Sequence, residues 1–109
     1  MVTYYWKLTI MLTKISVLIV DDESSARSNM INMLNSHCPS AEILGETESV
    51  QEAQVLLETL KPDILFLDVQ LQDGTGFDLL DRVSRIDFNA IFTTAFDEFA
   101  IKAFRYNAV

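Results

Sequence analysis

Cysteine, proline and glycine are all scarce in these 109 residues, at one, two and three. The single thiol, Cys38, excludes an internal disulfide framework and fits a reducing compartment. So few prolines and glycines leave little room for long linkers, and no segment is low in complexity or repeats at about 20–50 residues. Basic residues are few too: 8 Lys+Arg stand against 16 Asp+Glu, a formal charge of −8. That balance argues against nucleic-acid binding by the chain itself, because phosphate backbones need a basic face. No apolar run approaches the roughly 18 residues of a membrane span. What remains is 50% hydrophobic and 22% charged, the balance of a globular core in one small domain.

Residues 1–13 read as an N-terminal extension and 14–109 as the domain, with Met11 as its natural start. The extension has one positive side chain, Lys7, and no continuous apolar core, so it makes a poor signal peptide. Val2, Tyr4, Trp6, Leu8 and Ile10 alternate with Thr3, Tyr5, Lys7 and Thr9, which would place them on opposite faces of a strand. No function is assigned to it.

Ile15 to Val20 is nearly all β-branched and aliphatic, as expected of a strand buried on both faces. Asp21, Asp22 and Glu23 follow, and Ser24 or Ser25 is placed to cap a helix carrying Ala26, Met30, Ile31, Met33 and Leu34. Pro39 stops that helix. Ala41 to Thr47 reads as a second, weaker strand. Ser49 and Glu52 form an S-x-x-E capping box before a helix marked by Val50, Ala53, Leu56, Leu57 and Leu60. Ile64 to Leu67 is the most hydrophobic strand and ends at Asp68. A loop with Asp73, Gly74 and Gly76 follows, the glycines expected to serve a turn of positive φ. Phe77, Leu79, Leu80 and Val83 mark a short helix, Ala90 to Thr94 a fourth strand, and Glu98 to Phe104 a fourth helix.

Strands alternating with helices imply parallel pairing, right-handed crossovers and helices on both sheet faces. Sites in such sheets lie beyond the carboxyl ends of the strands. That rule selects Asp21, Asp22, Asp68 and Thr94. Carboxylates gathered in one crevice repel unless a cation lies between them. They are hard ligands suited to Mg²⁺. An aspartate can also act as a nucleophile and carry an acyl phosphate. The bland reading is that such aspartates cap turns or the following helix N-terminus.

Val20-Asp21-Asp22-Glu23, Pro62 to Asp68, Gly74-Thr75-Gly76-Phe77 and Phe92-Thr93-Thr94-Ala95, in this order, resemble the receiver domains of two-component response regulators. Thr93 to Phe104 resembles the subgroup that carries a C-terminal LytTR DNA-binding domain. The resemblance covers 14–109 and implies the flavodoxin-like α/β fold, a doubly wound parallel sheet. Its strand order is 2-1-3-4-5, with 2-1-3-4 present here. It implies that Asp68 accepts a phosphoryl group from a histidine kinase. Asp22, Asp68 and the backbone carbonyl of Gln70 would contact Mg²⁺ directly, Asp21 mostly through water, and Thr94 would supply the switch hydroxyl. It also implies a cytoplasmic, non-enzymatic switch with DNA reached only through a further domain.

The family's fifth strand, its lysine and its fifth helix are not in these residues. Lys102 and Tyr106 do not replace the family's lysine and switch aromatic by position. Three explanations are open: a fragment of a longer regulator, a strand swapped from another copy, or residues 2–10 at the vacant edge. Homodimerisation through the fourth helix or the open sheet edge is the corresponding expectation. The competing function is a receiver-fold interaction module that no longer switches. A phosphohydrolase with an aspartyl nucleophile would want an acid two positions on, where Gln70 stands. His37 and Cys38 lack the spacing of a zinc site. Core packing is expected of at least two of Phe96, Phe99 and Phe104, the alternative being an exposed interface.

Overall fold

The computed structural model of the chain describes residues 14–93. Its elements are β1 (Ile15–Val20), α1 (Ser24–His37), β2 (Ala41–Thr47), α2 (Val50–Leu60), β3 (Ile64–Leu67), β4 (Gln70–Leu71), β5 (Gly74–Thr75), α3 (Gly76–Arg82) and β6 (Asn89–Phe92). The sheet runs β2-β1-β3-β6 with every pair parallel. Since β4 and β5 form a separate antiparallel ribbon, β6 is the fourth sheet strand and the order is the expected 2-1-3-4. The ribbon itself lies where the sequence reading has only a loop. The expected fourth helix, Phe96, Phe99 and Phe104, and the whole 1–13 segment lie outside the described residues.

Alternation along the central strands builds two helix-bearing faces. Leu18, Val20, Leu65 and Leu67 point to one side, where Val50, Ala53 and Leu57 of α2 and Phe77, Leu79 and Leu80 of α3 cover them. Val17 and Ile19 point to the other, against Leu34 of α1, with Met30, Ile31, Ile64 and Phe66 packed at the margin. Leu18, Leu65, Leu67 and Leu79 are fully buried, and each contributes about 1.5–3 kcal/mol relative to exposure. Phe77 and Phe92 stack with ring centroids 4.9 Å apart, joining α3 to the end of β6.

The element boundaries follow local chemistry. The Ser49 hydroxyl accepts from the Glu52 N–H, but the expected capping box is half made, because the Ser49 N–H donates to the Thr47 hydroxyl oxygen at 3.3 Å instead of to Glu52. Helix α2 ends at Lys61 in the left-handed region, φ 49°, ahead of Pro62, which has no N–H to continue it. Helix α1 differs from expectation. Its N-cap is Glu23, with no side-chain bond, rather than Ser24 or Ser25. The Asp21 carboxylate instead accepts from the Glu23 N–H at 2.9 Å, so the turn into α1 is closed from upstream. Thr75 and Asp78 make a reciprocal capping box on α3.

At the opposite end of the sheet, β1 and the turn before β3 are held by a reciprocal pair. The Ser16 N–H and hydroxyl both donate to the Asp63 carboxylate at 2.9 Å, and the Asp63 N–H lies 2.9 Å from the Ser16 hydroxyl oxygen. The Ser16 backbone and side-chain donors hold the Asp63 carboxyl below its usual range. A lowered acid contributes stability that is in place above its unfolded pKa of about 3.9 and is lost as pH falls through the folded value. Ser16→Ala is therefore expected to lower the thermal midpoint at neutral pH, with the gap to wild type narrowing below about pH 4. Melts followed by circular dichroism across the acid range check this. A gap independent of pH would contradict it.

Candidate functional site

Parallel pairing of β1 with β3 sets Val20 opposite Leu67, both fully buried. The next residue on each strand is an aspartate, so Asp21 and Asp68 emerge side by side where the apolar sheet ends. The backbone ladder continues past the strands and fixes both. The Asp68 N–H donates to the Val20 carbonyl at 2.9 Å, and the Asp21 N–H to the Thr47 carbonyl at 3.0 Å. Asp22 lies one residue further, exposed, while Asp21 and Asp68 are half-buried. One carboxylate oxygen from each of the three lies within 4.8 Å of the others.

That closeness has an electrostatic consequence. Burial, then the charge of Asp21, then that of Asp22 raise the Asp68 carboxyl above its ordinary value. Backbone N–H groups of Val69 and Gln70 oppose the rise. Three carboxylates so arranged, open to solvent on one side, form an oxygen donor set that fits a small hard divalent cation. Other ligands would complete the coordination. Gln70 begins β4, two residues past Asp68.

Of the residues selected from sequence, the fold brings Asp21, Asp22 and Asp68 together. Thr94 lies outside the described residues. Its neighbour Thr93 donates its N–H to the Leu67 carbonyl at 3.0 Å, directly beneath Asp68. Two further residues went unrecognised in the sequence. Arg27, from the first turn of α1, donates to the Asp21 carbonyl at 2.7 Å and to Glu46 of β2 at 2.8 Å. Asp73, in the bend between β4 and β5, accepts from the N–H groups of Val50 and Gln51. The Asp73 contacts and the Arg27–Glu46 pair join elements remote in sequence, while the Asp21 carbonyl lies only six residues before Arg27.

Gly76 has a different reason from the expected positive φ. A Cβ there would stand 2.6 Å from the Asp68 carbonyl oxygen and 2.9 Å from Leu67 Cγ. Its N–H donates to the Val69 carbonyl at 2.8 Å, so α3 begins in contact with the backbone of Asp68. Away from this site, a groove of about 280 Å³ is lined by Leu57, Lys61, Val83 and Phe88. Asp21, Asp22 and Asp68 do not line that groove. No helix among the described residues is long and apolar enough to cross a membrane.

Comparison with known proteins identifies the family and the fold. The family model for the response regulator receiver domain matches residues 17–109. Sensory transduction protein LytT of Enterococcus faecalis is 42% identical over 94 residues, covering 84% of this chain and 38% of that protein. Transcriptional regulatory protein BtsR of Salmonella typhimurium is 43% identical over 98 residues, covering 86% and 39%. The chain thus spans well under half the length of these relatives. They accord with the LytTR-type subgroup that Thr93 to Phe104 resembles. The response regulatory domain of protein mrkE from Klebsiella pneumoniae superposes with a TM-score of 0.78 at 29% identity, over 86% of this chain and 78% of that one.

The Gly76 contact generates a direct prediction. Gly76→Ala is expected to cost about 1–3 kcal/mol, as overpacking against backbone does. Denaturant unfolding checks this. An unchanged midpoint would mean that α3 can withdraw freely from Asp68.

Proposed function

The chain belongs to the response regulator receiver domain family, a family of signalling domains rather than enzymes, and from that premise we propose that it is a phosphoacceptor switch acting through Asp68. The observation that carries this is the meeting of Asp21, Asp22 and Asp68 within 4.8 Å at the carboxyl ends of adjacent strands. The donor in this reading is a phosphohistidine on a sensor histidine kinase. One Asp68 oxygen forms a bond to phosphorus as the donor's N–P bond breaks. The electron pair returns to the imidazole, which takes up a proton.

Asp22, Asp68 and the Gln70 carbonyl are the proposed direct ligands of Mg²⁺, with Asp21 acting mostly through water. The ion supplies positive charge against phosphoryl oxygens as negative charge builds there. The chain's own part is to aim the acceptor and to offset part of the rise in its pKa. The backbone N–H groups of Val69 and Gln70 favour the charged carboxylate, while the half-buried position limits its access to water. Thr94 is the proposed hydroxyl that follows the phosphoryl group. Adding a charge near −2 beside two aspartates forces local rearrangement, which is the switch.

The wider setting extends the same reading. The names of LytT and BtsR support a signalling role with transcriptional output, and the location in this reading is the cytoplasm. DNA contact would belong to a further domain, and self-association to the fourth helix or the β6 side of the sheet.

Intact mass after incubation with a small-molecule phosphodonor and Mg²⁺ tests the proposal. One phosphoryl group is expected on the wild type and none on Asp68→Asn. Uptake persisting in that variant would move the acceptor elsewhere. No uptake by the wild type would favour a non-switching interaction module. Asp22→Ala is expected to bind Mg²⁺ more weakly, and an unchanged titration would remove it from the ligand set.

A further inference from the structure

The acidic cluster is assembled from two separate pieces of chain: the turn after β1, with Asp21 and Asp22, and Asp68 with the loop behind it. Both are tied to one short junction between β2 and α2. The Asp21 N–H donates to the Thr47 carbonyl at 3.0 Å, and the Gln72 N–H to the Glu48 carbonyl at 3.3 Å. The Asp73 carboxylate spans the next two positions, one oxygen accepting from the Val50 N–H and the other from the Gln51 N–H, the latter at 3.1 Å. The junction is itself firm. Thr47 is 4% exposed, and its hydroxyl oxygen accepts from the Ser49 N–H at 3.3 Å.

We propose that Asp73 is a positioning residue for the phosphoacceptor site, fixing where the loop that follows Asp68 stands relative to Asp21. This rests on the reading of Asp68, Asp22 and Gln70 as a Mg²⁺-assisted acceptor site. The ribbon in which Gln70 lies has only two residue pairs, Gln70 with Thr75 and Leu71 with Gly74. So short a ribbon cannot hold its own position. Its base is pinned by the Gly76 N–H on the Val69 carbonyl. Its tip is held to α2 by the Asp73 side chain, the only side-chain hydrogen bonds recorded between these two segments among the described residues. Capping alone does not account for the arrangement. Ser49 already caps α2 locally through the Glu52 N–H, and a remote carboxylate adds a connection that a local cap cannot.

Magnesium titration calorimetry on the 109-residue chain tests this with Asp73→Ala, Asp73→Asn and Ser49→Ala. Asp73→Ala is expected to bind Mg²⁺ about tenfold more weakly, as loss of a group that orients metal ligands does. Its backbone amides across residues 69–76 are expected to exchange faster. Asp73→Asn keeps one acceptor oxygen and is expected to fall between Ala and wild type. Ser49→Ala loosens α2 without touching the loop and is expected to bind like wild type. Equal losses in Asp73→Asn and Asp73→Ala would mean that charge alone matters. A matching loss in Ser49→Ala would reduce Asp73 to a helix cap. Wild-type affinity in Asp73→Ala would end the proposal outright. Absence of Mg²⁺ binding by the wild type would instead overturn the reading of the site, and the positioning role with it.

Discussion

Repulsion among Asp21, Asp22 and Asp68 is the constraint around which the upper end of this domain is organised. The three would separate if the chain allowed it, and the chain does not. Asp21 and Asp68 follow directly on Val20 and Leu67, which are fully buried and paired in the same sheet. Moving either aspartate away would draw apolar strand residues out of the core. The burial of β1 and β3 thus offsets the electrostatic cost, and the Asp68 carboxyl is raised first by its own burial and then by the charges of Asp21 and Asp22.

The surrounding contacts serve to keep the cluster in register. Arg27 grips the Asp21 carbonyl and Glu46, joining α1, the acidic turn and β2. Gly76 brings α3 against the Asp68 backbone, where any side chain would collide. Asp73 holds the intervening ribbon to α2. These ties come from three helices on both faces of the sheet. The elements around Asp68 are thus joined by short contacts, several of them from side chains, an arrangement suited to a signalling domain.

Much of this was legible in the sequence. The first two strands have the boundaries that their residues predict, and β3 ends at Leu67, immediately before Asp68, as its apolar run implies. The reason is that β1 and β3 are nearly continuous apolar runs ended by aspartates, while Pro39 and Pro62 precede β2 and β3 closely. The aspartates stood out because charge follows such runs abruptly. The β4–β5 ribbon was hidden because two residues per strand leave no periodicity to read. Asp73 and Arg27 were hidden for another reason. Their partners across the fold, Val50 and Gln51 for one and Glu46 for the other, become neighbours only once the chain has folded. Gly76 was noticed for the wrong cause, since its crowding against Asp68 exists only after α3 has docked. Thr94 and the fourth helix fall outside the described residues, so their roles stay as the family resemblance implies.

The account stands or falls on whether the carboxylate cluster is strained when empty of cation and relieved by one. The thermal midpoint of wild type and Asp68→Asn, measured at neutral pH with and without Mg²⁺, tests this most directly. Without Mg²⁺ the variant should melt above the wild type, because one of three repelling charges is gone. Added Mg²⁺ should raise the wild type by mass action and close the gap, while moving the variant much less. A variant that melts below the wild type without Mg²⁺, or equal responses of the two proteins to the ion, would contradict the account.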